Sequence, residues 1–499
     1  MKSGLVRDDL YRHSDGAYFN QHAYLARVPR IDELRDGAGI EVLSTDRALL
    51  HETAHWYQYM GTSFGLAIGL HRLEQYGTSF DVLAEDDGSV NDEMIARRVA
   101  GEPLLRLDRS GNLASVHLAG QRSSTFAAVW HAQVVTDRML TDVGALSSEL
   151  RLPFDFEAMM GDFFIDVLSS PVLFEEPASL PQDMRACVKD VPIGIDEYLT
   201  TRAIMECAAV INEYISLRGQ SEESVKLRDR AWRQLVGPGV YGAAVRSFCQ
   251  IVECEINEVG PWLGSILLCC DIAMNPSIPP LVDLDEVSRH PRKWSEISPA
   301  WRFMRCAAAC RELTAYSMQM LTGGATEFSQ TIATVAGLEH WSGSSLQFKP
   351  QAHFLEELNS VDLNGQREAS GEALFLSFFS TVATTLWRLR SSGDLRVFAP
   401  GLLAGAGMLS HDWFSLPPLL TDDQHERFWH PKPLSTPPML PFVAVLMGVY
   451  SMTDILTGNG PLDFTAFPTG LSARTGDALS GLRLGDRLVE IPVKFRVDA

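Results

Sequence analysis

Positive charge is what this sequence has least of. Its 499 residues carry 42 Lys and Arg against 63 Asp and Glu, a formal net charge of −21. A surface of that sign repels phosphate backbones and anionic lipid heads, which argues against nucleic acid or a membrane as partner. Long apolar runs are missing too. The longest uncharged one, from Pro437 to Met452, is interrupted by Pro441 and closed by Asp454, so it reads as buried core and falls short of a bilayer span. The first residues, MKSGLVRDDLYRHSDG, contain no apolar stretch of signal-peptide length. None of the cysteines forms a CxxC pair. All eight lie between Cys187 and Cys310, with Cys269-Cys270 and Cys306/Cys310 in apolar helical patterns, which reads as buried reduced thiols. The expectation from these absences is a cytoplasmic protein. There is no internal repeat and no long low-complexity tract. Hydrophobic residues at 46% and charged residues at 21% exclude a disordered or fibrous chain, and the length allows two or three domains.

What is present is mostly helical periodicity. GIEVLS, Gly39 to Ser44, reads as a strand. A helix follows through DRALLHETAHWYQYM, with Ser44, Thr45 or Asp46 as N-cap and Gly61 as stop. TSFGLAIGLHRLEQY reads as a second helix, ended by Gly77. EDDGSVNDE is an acidic solvated loop, and PLLRLD-RSGN-LASVHLA a hairpin around Ser110-Gly111-Asn112. Helical patterns resume at 123–143 and 154–168. Asp196 to Leu217 is one strong helix stopped by Gly219. Further helices are predicted at 222–236, 240–258, 262–274, 298–321, 325–337, 349–359 and 368–391. The last hundred residues are proline-rich and end in alternating runs such as RLVEIPVKFRV, which suggest strands. The pattern predicts a mainly α, α+β chain with a small sheet near the N-terminus and another near the C-terminus.

One motif carries chemistry. His51-Glu52-Thr53-Ala54-His55 is an HExxH sequence inside a predicted helix. Residues four apart share a face, so His51 and His55 can point at a single ion, while Glu52 sits about 100° round the helix and can serve as general base to a water there. Zinc accepts neutral imidazole nitrogens and needs a third protein ligand plus an open position to be catalytic. The flanking Ala48, Leu49 and Leu50, the uncharged x positions and the following Trp56 and Tyr57 resemble the extended consensus of the zincin metallopeptidases. In that family a strand precedes the helix, and GIEVLS occupies its place here.

The third ligand decides the subclass. The metzincin pattern has a Gly three residues and a His six residues after the second His; here Gln58 and Gly61 stand there, which excludes it. The remaining choice resembles the gluzincins, with a carboxylate from a later helix. Glu206, in YLTTRAIMECAAVINEY, lies on an apolar stripe with Ala203, Ala209 and Val210, so a buried carboxylate there needs a partner. Glu206-Cys207-Ala208-Ala209 also resembles the E-G-x-A pattern around that family's third ligand, with Cys in place of Gly. The bland reading of Glu206 is an i−4 pair with Arg202. Glu74, 19 positions after His55, is the alternative, at a spacing similar to thermolysin-like enzymes but at an exposed helix end. Supporting candidates are Gln58, which shares the His55 face and can touch the water or cap the helix, Tyr198 and Tyr214 as oxyanion donors, His131 in the same role, and Glu213 as a group fixing an imidazole N–H.

The resemblance implies a zincin-like metal-binding catalytic region over 1–220, with a small sheet and a helical and hairpin insertion at about 78–195. A helical region at 221–395 and a Pro-rich C-terminal region with short strands at 396–499 would follow. It implies Zn²⁺ held by His51, His55 and Glu206 or Glu74, with Glu52 activating water against a peptide bond. A peptide or protein substrate and a regulatory protein partner are the expected partners. Two other readings stay open: a catalytically silent helical binding scaffold with a vestigial or structural HExxH, and a small-molecule metallohydrolase.

Overall fold

The computed structural model describes residues 47–65, 199–217, 222–276, 299–318, 321–338, 382–390 and 392–405, position 100, and seven short strands. In chain order these are strands β1 (Tyr18–Asn20) and β2 (Leu25–Arg27), helix α1 (Arg47–Gly61), and strands β3 (Leu105–Leu107) and β4 (Leu113–Val116). Helices α2 (Thr201–Ser216), α3 (Glu222–Val236), α4 (Val240–Val252), α5 (Leu263–Ala273), α6 (Pro299–Arg311) and α7 (Leu321–Val335) follow. Then come α8 (382–390), α9 (Leu395–Phe398), α10 (Pro400–Gly405) and strands β5 (Leu419–Thr421), β6 (Phe428–Pro431) and β7 (Leu488–Ile491).

Helices dominate, and one hydrophobic core runs through them from Trp56 on α1 to Leu402 on α10. α5 is at its centre. Apart from Asp271, LGSILLCCDIA carries no charge on any side, as expected of a helix with neighbours all round, and ten of its residues are buried. Its N-terminus is closed by a two-way exchange with the segment after α6: Ser265 N–H donates to Tyr316 O at 3.0 Å, and Tyr316 N–H donates to Ser265 Oγ at 3.0 Å. Gly264 permits this approach, since a Cβ there would lie 2.3 Å from Tyr316 O. The exchange also explains why α6 ends at Arg311 and not at the predicted 321. The C-terminal carbonyls of α5 are taken by a buried guanidinium: Arg302 donates to Ile272 O at 2.7 Å and to Asn275 O at 3.0 Å.

α2 is the element that positions the site. Thr200 caps it, accepting from Ala203 N–H at 3.0 Å, and its residues from Ala203 to Glu213 are all buried. The small side chains Ala203, Cys207, Ala208 and Ala209 let α1, α4, α5 and α10 pack close around it. At α10 the approach is backbone to backbone: Gly401 N–H donates to Asn212 Oδ1 at 3.0 Å, and a Cβ on Gly401 would fall 2.0 Å from Asn212 O. α1 is held at its far end. Arg390 of α8 donates to Gly61 O at 2.9 Å and pairs with Asp271 of α5 at 2.6 Å, while Phe64 N–H donates to Met274 O at 3.1 Å.

The expected zincin-like N-terminal region with its own small sheet is not seen, and that expectation is corrected to a mainly helical fold. The stretch 39–44, read as the strand leading into the motif helix, lies outside the described residues. The N-terminal strands β1 and β2 are three residues each and make no sheet by themselves. β2 pairs in parallel with β5, Ala26 opposite Leu420, in a sheet of order β1-β2-β5-β6-β7 whose other neighbours are antiparallel. A hairpin that short is not stable alone, so its open edge is met by chain from about four hundred residues later. β3 and β4 form a separate antiparallel pair. Of the other predicted helices, the second at 62–76 is described only to residue 65, and those at 123–143, 154–168 and 349–359 lie outside the described residues. Among the described residues no helix is long and apolar enough to cross a membrane, and Cys207, Cys249, Cys254, Cys269, Cys270, Cys306 and Cys310 are free thiols.

Candidate metal centre

α1 and α2 build the site between them. His51 and His55 leave the same side of α1 one turn apart, their ring centroids separated by 4.9 Å and their planes at 82°. α2 presents Glu206 to both. Its Oε2 lies 3.1 Å from His51 Nε2 and 3.3 Å from His55 Nε2. Ligand atoms from these three residues all lie within 4.8 Å of one another. In a tetrahedral shell, atoms about 2.0–2.1 Å from a zinc ion sit about 3.3 Å apart, and the two carboxylate–imidazole distances match that spacing. His51, His55 and Glu206 form a group that can hold a metal ion.

The outer nitrogens show how the rings are aimed. Gln58 Nε2 donates to the backbone carbonyl of Met205 at 2.9 Å, and that carbonyl can only accept. The amide oxygen of Gln58 therefore faces His55, whose Nδ1 is 2.8 Å away. An amide oxygen also only accepts, so Nδ1 carries a hydrogen, which leaves Nε2 as the nitrogen able to give a lone pair to an ion. His51 Nδ1 lies 3.4 Å from Glu213 Oε2, which places a carboxylate behind that ring in the same way. α2 thus supplies one ligand and both anchors: Glu206, the Met205 carbonyl that fixes Gln58, and Glu213.

Charge is concentrated here. Burial works against a charge on the His51 ring, but its contacts with Glu206 and Glu213 outweigh burial and hold His51 well above its usual range. Burial likewise opposes charge on Glu206, yet the two histidines hold its carboxyl well below the usual carboxylate range. Without an ion, the pair is an ionised carboxylate against a protonated imidazole. Glu52 behaves differently. It is 3% exposed, its Oε2 has no hydrogen-bond partner among the described residues, and burial pushes it up to about 7.

The structure thus brings His51, Glu52, His55, Gln58, Glu206 and Glu213 together. Gln58 links His55 Nδ1 to the Met205 carbonyl. Tyr214 packs its ring against Trp232, with centroids 5.5 Å apart, alongside the core. Glu74, His131 and Tyr198 lie outside the described residues. Tyr241 was missed. It follows the Gly237-Pro238-Gly239 turn at the start of α4, and its ring centroid is 6.3 Å from that of His51. It is 36% exposed, and the Glu206 charge together with burial raises its hydroxyl to about 12. Only its place after a Gly-Pro-Gly turn hints at it in the sequence, and nothing there links residue 241 to residue 51.

No family model, curated protein or solved structure matches the chain.

Proposed function

We propose that the chain is a zinc-dependent hydrolase that cleaves a peptide bond. The observation that carries this reading is the convergence of two imidazole Nε2 atoms on one Glu206 oxygen beside buried Glu52, whose Oε2 has no hydrogen-bond partner among the described residues. Two imidazoles and one carboxylate are the donor set of a catalytic zinc site, which leaves a position free of protein. A zinc ion held by His51, His55 and Glu206 would polarise a carbonyl and lower the pKa of water towards about 7. The motif's resemblance to the zincin metallopeptidases favours a peptide over a small molecule.

The chain's own groups account for the protons. Glu52, raised to about 7, accepts a proton from the attacking water at a carboxylate oxygen and returns it to the leaving nitrogen. Gln58 and Glu213 keep the imidazoles aimed. The Tyr241 hydroxyl stays protonated to about 12, so it can donate to the oxyanion that forms on the carbonyl.

Glu52→Gln tests the reading, because the amide keeps the shape of the carboxylate and cannot take the proton. With a peptide library read by mass spectrometry, the variant is expected to keep its metal and lose peptide cleavage by about 10²-fold or more. Cleavage at the wild-type rate in Glu52→Gln, or no cleavage by zinc-loaded wild type, would contradict the proposal.

A further inference from the structure

Glu206 uses its two oxygens differently. Oε2 faces both imidazoles, whereas Oε1 lies 3.5 Å from Arg202 Nε, one turn earlier on α2. The Arg202 side chain is 58% exposed and that of Glu206 is 10% exposed, so the cation stands at the lip of the centre and the carboxylate beneath it. A partly exposed i,i+4 pair contributes little to holding a helix, and α2 is already capped by Thr200 and buried along its length. The placement of Arg202 matters for the carboxylate instead.

A carboxylate can offer a metal one oxygen or two. A second oxygen takes up coordination that a catalytic site must keep open. We infer that Arg202 is a positioning residue: it draws Oε1 away from the ion, so that Glu206 gives the metal Oε2 alone. This rests on the metal-site reading above. Guanidinium suits the task, since it is charged at every working pH and its planar fork holds an oxygen in a fixed direction, where an ammonium is only a point charge. Among the described residues Arg202 is the cation that the structure brings to Oε1.

Cobalt(II) substituted into the site tests this without turnover, because its visible absorption weakens as coordination rises above four. The proteins to compare are the wild type, Arg202→Ala, Arg202→Gln and Arg202→Lys, each saturated with cobalt. The neutral variants are expected to bind the ion and lose visible intensity by about twofold or more, with Arg202→Lys in between. Arg202→Gln carries the test should the alanine variant fold poorly. In the zinc forms, the neutral variants should show kcat lowered several-fold with KM little changed, as expected when a coordination position is blocked. A cobalt spectrum in the neutral variants identical to wild type would overturn the role of Arg202 and leave the metal centre standing. Failure of the wild type to take up cobalt would overturn the metal reading and this inference with it.

Discussion

His51 is the side chain on which pH and metal compete. Its raised pKa means that the metal-free fold gains from the protonated ring, a gain fully present below the unfolded value of about 6.5 and lost as pH rises through the folded value. Glu52, raised to about 7, acts in the same direction from about 4.3 upward, because folding favours its protonated form. Glu206, held low, contributes above about 4.3 and loses that contribution as pH falls towards its folded value. Metal-free protein is therefore expected to lose thermal stability as pH climbs above about 5, while metal affinity rises as the His51 proton is displaced. Melting curves of chelator-treated protein and chelator competition at several pH values check the two slopes. Parallel slopes, or a flat affinity, would count against the assignment. Gln58 is the second residue with a defined role. Gln58→Ala removes the anchor on His55 Nδ1 and should weaken metal binding by about 10–100-fold while the helix around it persists.

At the scale of elements, the site is a two-helix unit whose ends are tied elsewhere. The Arg390–Asp271 pair joins α8 to α5 and, through Gly61 O, to the end of α1. Arg390 is 1% exposed, and the Asp271 side chain 9% exposed. Arg390→Met would leave that carboxylate buried and unpaired, at a cost of about 3–5 kcal/mol, and Asp271→Leu in the same chain should recover a large part of it. Urea unfolding of the two variants measures the difference. An equal loss in the single and double variants would mean that the cap on Gly61, and not the ion pair, holds the end of α1. How much of this was legible beforehand follows from distance along the chain. HExxH aligns His51, Glu52 and His55 by local helical geometry alone, and α1 and α2 were visible from their apolar stripes and the glycines after them. Glu206 stood out because a carboxylate on an apolar stripe needs a partner. The partner of Gln58 is a backbone carbonyl 147 residues away, and Tyr241 reaches His51 from the start of another helix. Neither contact has a periodicity to read. The sheet was misread for the same reason: β2 finds its neighbour in β5, and no local pattern records a pairing across that gap.

For the whole molecule, the acidic excess and the helical core are a setting for one small centre. Glu52, Glu206 and Glu213 place three buried carboxylates around two imidazoles, with Arg202 as the neighbouring cation at Glu206. A divalent ion is the natural complement to that charge, and an ion bound only by the folded chain stabilises it by about 2.7 kcal/mol at a hundredfold excess over Kd. The most direct test of the account is metal stoichiometry by mass spectrometry on zinc-replete wild type and Glu206→Gln, an isosteric change that leaves both histidines in place. One zinc per chain is expected in the wild type, lost in Glu206→Gln together with the stabilisation it brings. Zinc retained in full by Glu206→Gln would place the third ligand elsewhere and contradict the centre described above.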